Sequence, residues 1–342
     1  MKEKDKNHSN DENLYEQMLN NSIDEFDQKY SPKQQQTIVK RSKNKAMFTN
    51  ILISLAILLL IVPVMTLLTY FYYSSGENYG RANNAIEVAS KLIYVTEPNM
   101  SVEEMEIEEE IGFFTMDLYF DVYKRIGSQD YNVGDYEINY YFDKPNFPKR
   151  NLLLDRPLEE IPQPQSELIV HPDVLVSTNS DWNILKGLPD GTVSEMYVSF
   201  SETIDVPEVN ELFNGDMEVR WLAVDTGLER KRIDKDGYPL TPLGYPAQVD
   251  TTTWSPFNGR EQTNEEVFLN ILKFLKENEE TATILARAKS LSLEERIKYI
   301  EENGIKIYGV VVTGPTAELR NLQENEKIKS MKIGEVKLWN WK

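Results

Sequence analysis

Residues 51 to 73, ILISLAILLLIVPVMTLLTYFYY, run for 23 positions without a charge. At 1.5 Å per residue a helix of that length reaches ~34 Å, enough to cross a hydrocarbon layer ~30 Å thick. The core helix of a water-soluble domain seldom keeps so long a stretch free of charge. A cleaved signal peptide has a shorter apolar run, and this one begins about fifty residues in. Pro63 falls mid-span, where a bilayer helix tolerates it better than a helix in water does. The stretch therefore predicts a single transmembrane helix over 48–73.

The flanks predict its orientation. Lys33, Lys40, Arg41, Lys43 and Lys45 precede the span with no acid among them, and short basic flanks stay in the cytoplasm. Tyr70, Phe71, Tyr72 and Tyr73 close it with rings that suit the lipid headgroup layer. Residues 1–47 then form a cytoplasmic tail, and everything past the span is external. The chain carries 37 basic and 56 acidic residues, of which 9 and 8 fall in 1–47, so 28 and 48 are left outside. So negative a surface repels nucleic acid, and no direct nucleic-acid contact is expected. Membrane lipid is the partner the span itself requires.

Composition removes several chemistries. There is no cysteine, hence no disulfide, thiolate metal site or cysteine nucleophile, which suits an exported domain that dispenses with disulfides. The two histidines, His8 and His171, are far apart in sequence, and a zinc site would have to be improvised around them. Six glutamates crowd VEEMEIEEE, residues 102–110. Without the sharp-turn glycine of a calcium loop, they predict a solvated acidic face. No cofactor and no metal are expected. Ser-His-Asp catalysis outside the cell has only His171 to draw on, and Ser-Lys chemistry lacks a suitably partnered motif. Carboxylates abound, but no pair stands out as a glycosidase site. The chain is not expected to be an enzyme.

The external part predicts an α+β fold. Residues 82–94, ANNAIEVASKLIY, have helical spacing at Ile86, Ala89, Leu92 and Ile93 and stop at Glu97-Pro98. Residues 113–123 and 136–142 alternate like strands, with Gly127 and Gly134 in a hairpin or longer connection between them. Their dense aromatics, Phe120, Tyr136 and Tyr140 among them, predict a sheet core or its cover. The proline-rich passage 157–172 predicts a linker or long surface loop. Residues 74–190 are accordingly expected to be a juxtamembrane region, and 191–342 a separate domain.

That second part holds something like a repeat. Residues 196–213, MYVSFSETIDVPEVNELF, run strand, turn, proline, helix and are followed by the strand MEVRWLAV, 217–224. Residues 307–322, IYGVVVTGPTAELRNL, do the same and are followed by GEVKLWNW, 334–341. Two β-α-β units imply a sheet with helices packed on one face. Between them, Thr263 with Glu266 and Ser292 with Glu295 predict two capped helices, the second ending at Gly304. The strand-glycine-helix pattern at Thr313, Gly314 and Pro315 has the outline of a phosphate cradle. It lacks the lysine and the glycine series such a cradle needs. It predicts a structural turn, with Pro315 as the first helical residue and Thr313 or Gly314 as cap.

VSFSET, WLAVDTG, YGVVVTGPTAELRNL and EVKLWNW, behind a single span with a basic flank, resemble the sigma-factor regulator family. These are membrane-anchored anti-sigma factors of Gram-positive bacteria with paired amino-terminal and carboxy-terminal regulator regions. The resemblance covers roughly residues 40–100 and 190–342 and is most specific in the last forty. It implies a cytoplasmic tail that holds an extracytoplasmic-function sigma factor inactive, and an outer domain that influences release. A second membrane regulator is among the partners it allows.

Residues 1–39 carry no motif of that family, so the contact is read from their chemistry. Leu14, Tyr15, Met18, Leu19, Ile23 and Phe26 cluster towards one side of a helix, and Asp11, Glu12, Glu16, Asp24 and Asp27 occupy much of the rest. Eighteen residues of such sequence are marginal as a free helix, so order on binding is expected. Membrane-surface helices carry lysine and arginine on the polar face, and this face is acidic. A protein surface both basic and apolar is the better match. Two other classes stay open at this point. One is a membrane-tethered envelope enzyme. The other is an envelope ligand-binding or structural protein whose tail has no specific partner.

Overall fold

A computed structural model describes residues 4–76, 79–103, 106–153, 168–175, 180–233, 237–248, 255–258 and 261–339, with the side chains of 4–13 and 26–28 outside that description. The chain divides into two compact units, Met1–Leu68 and Thr69–Lys342.

The first unit is helical. Helix α1 spans Lys4–Lys29, and α2 spans Pro32–Ser74. The break between them is local chemistry. Pro32 has no amide proton to give an upstream carbonyl, and its fixed φ suits a first helical residue. Gln34 Oε1 accepts from the Ser31 amide at 3.0 Å and from its hydroxyl at 3.1 Å. That is the return half of a capping box. Among the described residues α2 is the one helix long and apolar enough to cross a membrane, as the sequence predicts.

The second unit is α+β with two sheets. Helix α3 (Arg81–Thr96) leads into β1 (Ser101–Val102), β2 (Glu108–Ile111), β3 (Thr115–Ile126), β4 (Gln129–Tyr141), β5 (Lys144–Pro145) and β6 (Lys149–Leu152). Strands β3 and β4 form a long antiparallel hairpin. β1 and β2 pair with the free edge of β3, and β5 and β6 with that of β4. The hairpin turns on Gly127-Ser128, with Ile126 opposite Gln129, so the connection is tighter than a long loop. Gly134 lies within β4, where a side chain would strike the Asn151 carbonyl at 2.1 Å. The acidic β2 is exposed at all four positions, and charge on an edge strand discourages pairing with another chain.

The second sheet follows α4 (Trp182–Gly187). It contains β7 (Thr192–Ile204), α5 (Val206–Leu212), β8 (Glu218–Val224) and β9 (Gly244–Pro246). Then come α6 (Asn264–Glu277), α7 (Glu279–Leu285), α8 (Leu293–Asn303), β10 (Ile307–Pro315), α9 (Thr316–Leu319) and β11 (Ile328–Leu338). The strand order is β11-β7-β10-β8-β9, and every adjacent pair is antiparallel. The two β-α-β units are therefore interleaved: β10 lies between β7 and β8, and β7 lies between β10 and β11. This is the split β-α-β arrangement of ferredoxin-like sheets.

Period-two alternation assigns the faces. Even-numbered β7 residues meet helices: Thr192 and Ser194 each bond the Thr316 hydroxyl of α9 at 2.7 Å, and Phe200 packs on Phe213 after α5. Odd-numbered residues meet the other sheet and the 168–170 segment: Val193 lies against Gly127, Glu195 bonds Lys124, and Ser199 bonds the Val170 amide. Helices α3, α6, α7 and α8 pack against one another, and α3 and α6 against β9. Phe268 and Leu272 of α6 are fully buried, each a gain of ~1.5–3 kcal/mol over exposure.

Three expectations change. Residue 190 does not divide compact units, because 69–342 is one unit whose main core draws on Leu118 and Tyr136 as well as Val198 and Val310. Residues 157–167 lie outside the described residues, but Leu168, Ile169, Val170 and His171 are buried rather than linker-like. The Thr263–Glu266 capping box is present. Ser292 has φ 52 and makes no cap bond; Glu279 Oε1 takes the Leu293 amide at 3.0 Å instead. A carboxylate is the stronger acceptor, and α7 delivers it to the start of α8.

Candidate functional site

The tail residues singled out by the sequence lie on α1. Leu14, Tyr15, Met18, Leu19 and Ile23 are each about half exposed or more. Phe26 is in the helix, but its side chain lies outside the described residues, as does that of His8. At 3.6 residues per turn the five occupy an arc of ~180°, with Leu14 and Met18 within ~40° of each other. Glu25 falls inside that arc, so the stripe is broad rather than sharp. The helix runs for 26 residues, beyond the stripe and past the length at which an isolated helix is marginal. Helical order over this segment thus differs from the order-on-binding expectation. Lys40, Arg41, Lys43 and Lys45 are exposed on α2, in the same helix as the span and about two to three turns before Ile51.

Thr313, Gly314 and Pro315 do not form a turn. They are the last residues of β10, paired with Glu195, Ser194 and Val193, and α9 starts at Thr316 with Pro315 as its cap residue. Gly314 serves close approach: a Cβ there would lie 3.1 Å from the Asp216 carbonyl oxygen and the Met217 Cα. The buried Thr313 hydroxyl accepts from the Gly127 amide at 2.7 Å and donates to the Ser194 carbonyl at 3.1 Å. It pins the hairpin turn of one sheet to the other, and none of these groups is left open to hold a phosphate.

A buried polar centre between the sheets went unseen in the sequence. Lys124 Nζ lies 3.0 and 2.9 Å from the two oxygens of Glu195 and 2.8 Å from the Tyr197 hydroxyl. Glu195 also accepts from Asn99 Nδ2 at 2.8 Å and from the Glu335 amide at 3.1 Å. Burial pulls the Lys124 ammonium towards neutrality, but Glu195 and Tyr197 outweigh it and hold the pKa above its ordinary value. One signal was available: Lys124 occupies the inward parity of β3, in line with Met116, Leu118, Phe120, Val122 and Ile126.

Two further features involve titratable side chains. Asp225 is flanked by His171 Nε2 at 3.7 Å, the Gly227 amide at 2.8 Å and the Tyr299 hydroxyl at 3.0 Å. Among the described residues no group of three His, Cys, Asp or Glu side chains is placed to hold a metal ion. A cavity of about 410 Å³ is lined by Tyr73, Arg81, Asn84, Tyr140, Glu277 and Thr281, with other residues. The Tyr140 hydroxyl is buried and has no hydrogen-bond partner among the described residues, and burial pushes its pKa up.

The comparisons with known proteins agree with this layout. The family model "Sigma factor regulator N-terminal" matches residues 36–131, and "Sigma factor regulator C-terminal" matches 185–335. The first takes in the basic flank, the span and the hairpin turn; the second takes in the interleaved sheet. The chain is also 30% identical over 334 residues, 96% of its own length and 90% of the relative's, to the "Probable anti-sigma-M factor YhdL" of Bacillus subtilis (strain 168). No solved structure matches. The match runs along nearly the whole length of the chain, which belongs to the sigma-factor regulator family.

Proposed function

We propose that the chain is a single-pass membrane anti-sigma factor whose cytoplasmic tail sequesters an extracytoplasmic-function sigma factor and whose external domain influences release. The observation that carries this reading is the exposed apolar arc of Leu14, Tyr15, Met18, Leu19 and Ile23 on α1, within one chain with the basic flank and span. The name of the Bacillus subtilis relative supports the same class of partner. A sigma factor must bind promoter DNA and polymerase, so it offers basic and apolar surfaces that an acidic amphipathic helix can cover. The apolar side chains hold the contact and the acids steer the approach.

The external domain has a physical route to the span. Tyr72 packs edge-on against Phe114 and Phe142, with centroids 6.0 and 5.4 Å away, and Tyr73 donates to the Phe142 carbonyl at 3.0 Å. A change in the hairpin therefore bears on the last turn of α2. The test is co-purification of the tail, residues 1–47, from cells, with the bound protein identified by mass spectrometry. A sigma factor retained by the wild-type tail and lost when residues 11–28 are deleted is the expected result. Recovery of no sigma factor at all would refute the reading.

A further inference from the structure

The last turns of α2 have two unlike faces. Thr69, Tyr72 and Tyr73 share an arc of ~100° around the helix, and that arc is covered. The Phe114 amide donates to Thr69 Oγ1 at 3.2 Å, Tyr73 bonds the Phe142 carbonyl, and the rings of Phe114 and Phe142 stack at 4.9 Å beside Tyr72. Phe114 and Phe142 have φ 54 and 56, a left-handed backbone uncommon for bulky residues. Both loops are thus bent to meet the helix. Their neighbours Phe113 and Tyr141 point outward, 53% and 64% exposed, while Tyr70 and Phe71 are 67% and 61% exposed on the open arc of the helix.

Helix length gives the depth of these groups. Thr69 and Tyr72 fall at the end of the charge-free run 51–73, the length of which matches a hydrocarbon layer ~30 Å thick. Phe113 and Tyr141 each adjoin a residue that touches Thr69, Tyr72 or Tyr73, so they are held at that level. Aromatic side chains favour this layer, where one end can be apolar and the other wet. The neighbouring Glu108, Glu109, Glu110 and Asp143 are exposed acids, so the hold is apolar rather than a Coulombic attraction to anionic lipid.

The geometry points to a second membrane contact: Phe113 and Tyr141 of the external domain insert, together with Tyr70 and Phe71, into the lipid headgroup layer. The hairpin end that clasps the span would then rest on the bilayer, and lipid packing there would bear directly on that clasp. This assignment rests on the reading of 51–73 as a membrane span.

The chain has no cysteine, so single labels report unambiguously. The full chain is reconstituted in phosphatidylcholine–phosphatidylglycerol vesicles with a fluorescent label at Phe113→Cys, Tyr141→Cys, Tyr70→Cys, Leu60→Cys or Gln129→Cys, the last at the far end of the hairpin. A lipid carrying a shallow nitroxide should quench the labels at 113 and 141 as strongly as the label at 70. It should leave the label at 129 bright, and the pattern should persist at high salt. If 113 and 141 behave like 129, or lose quenching in salt, the contact is refuted. The span itself stands in that case if a deep nitroxide quenches the label at 60. If the label at 60 is not quenched, the span and the contact fall together.

Discussion

The Lys124 ammonium lies 2.9 Å from Glu195 Oε2, and neither side chain is more than 3% exposed. This pair joins the hairpin sheet to the interleaved sheet at a place where both are dry. Its two members are not equal: Glu195 keeps Asn99 and the Glu335 amide if Lys124 is lost, but it also keeps its charge. Lys124→Met should destabilise the chain by about 3–5 kcal/mol, the usual cost of leaving a buried charge without its partner. Adding Glu195→Gln should recover part of that loss, because the pair is coupled. Denaturant unfolding of the detergent-solubilised chain checks both outcomes; an additive double variant would show that the pair is not a unit.

Gly314 gives a second prediction. Its neighbours Asp216 and Met217 stand where a side chain would go, so Gly314→Val should cost about 1–3 kcal/mol by crowding. Gly314→Ala should cost less. Millimolar nucleotide should not raise the melting temperature of the wild-type chain. Stabilisation by nucleotide that is lost in Gly314→Val would mean that the end of β10 binds phosphate after all.

Asp225 predicts the acid limb of stability. Burial works against its charge, but the nearby His171 ring, the Gly227 amide and the Tyr299 hydroxyl together hold its pKa below the ordinary 3.8. A folded value below the unfolded one contributes stability above the unfolded pKa and loses it as pH falls through the folded pKa. The wild-type chain should therefore weaken as pH drops below about 4, and Asp225→Asn should flatten that part of the curve. Urea midpoints measured from pH 6 to pH 2.5 would show it. Parallel curves for the two proteins would remove Asp225 from the account.

Orientation is tested on intact cells. With the basic flank inside, protease added to protoplasts should degrade residues 80–342 and spare the tail. A protected large domain would reverse the topology and with it the proposed function.

The sequence exposed those features that depend on near neighbours. The span needs only a charge-free run, the α6 cap needs only Thr263 and Glu266, and the hairpin needs only alternation around Gly127. What it hid depends on partners far along the chain. Lys124 meets Glu195 seventy-one positions later, so its inward parity alone could not say what would neutralise it. Thr313-Gly314-Pro315 has the composition of a turn, but pairing with Val193, Ser194 and Glu195 extends the strand through it. Leu168 and Ile169 sit beside a proline-rich passage, yet they pack with Tyr197, Trp221 and Tyr308 in a separate small core. Composition alone gives Tyr72 and Tyr73 to the lipid headgroup layer, whereas the bent loops at Phe114 and Phe142 claim them for the domain. The tail arc is exposed among the described residues, so its contact is tested by an external partner.

The most direct test is a sigma-dependent promoter reporter in cells carrying Leu14→Ser, Leu19→Ser and Ile23→Ser together, compared with wild type at equal protein level. If the apolar arc of α1 holds the sigma factor, the triple variant should release it and switch the reporter on, while the span and outer domain remain intact. A triple variant that still represses as well as wild type would contradict the central claim that this helix is the inhibitory contact.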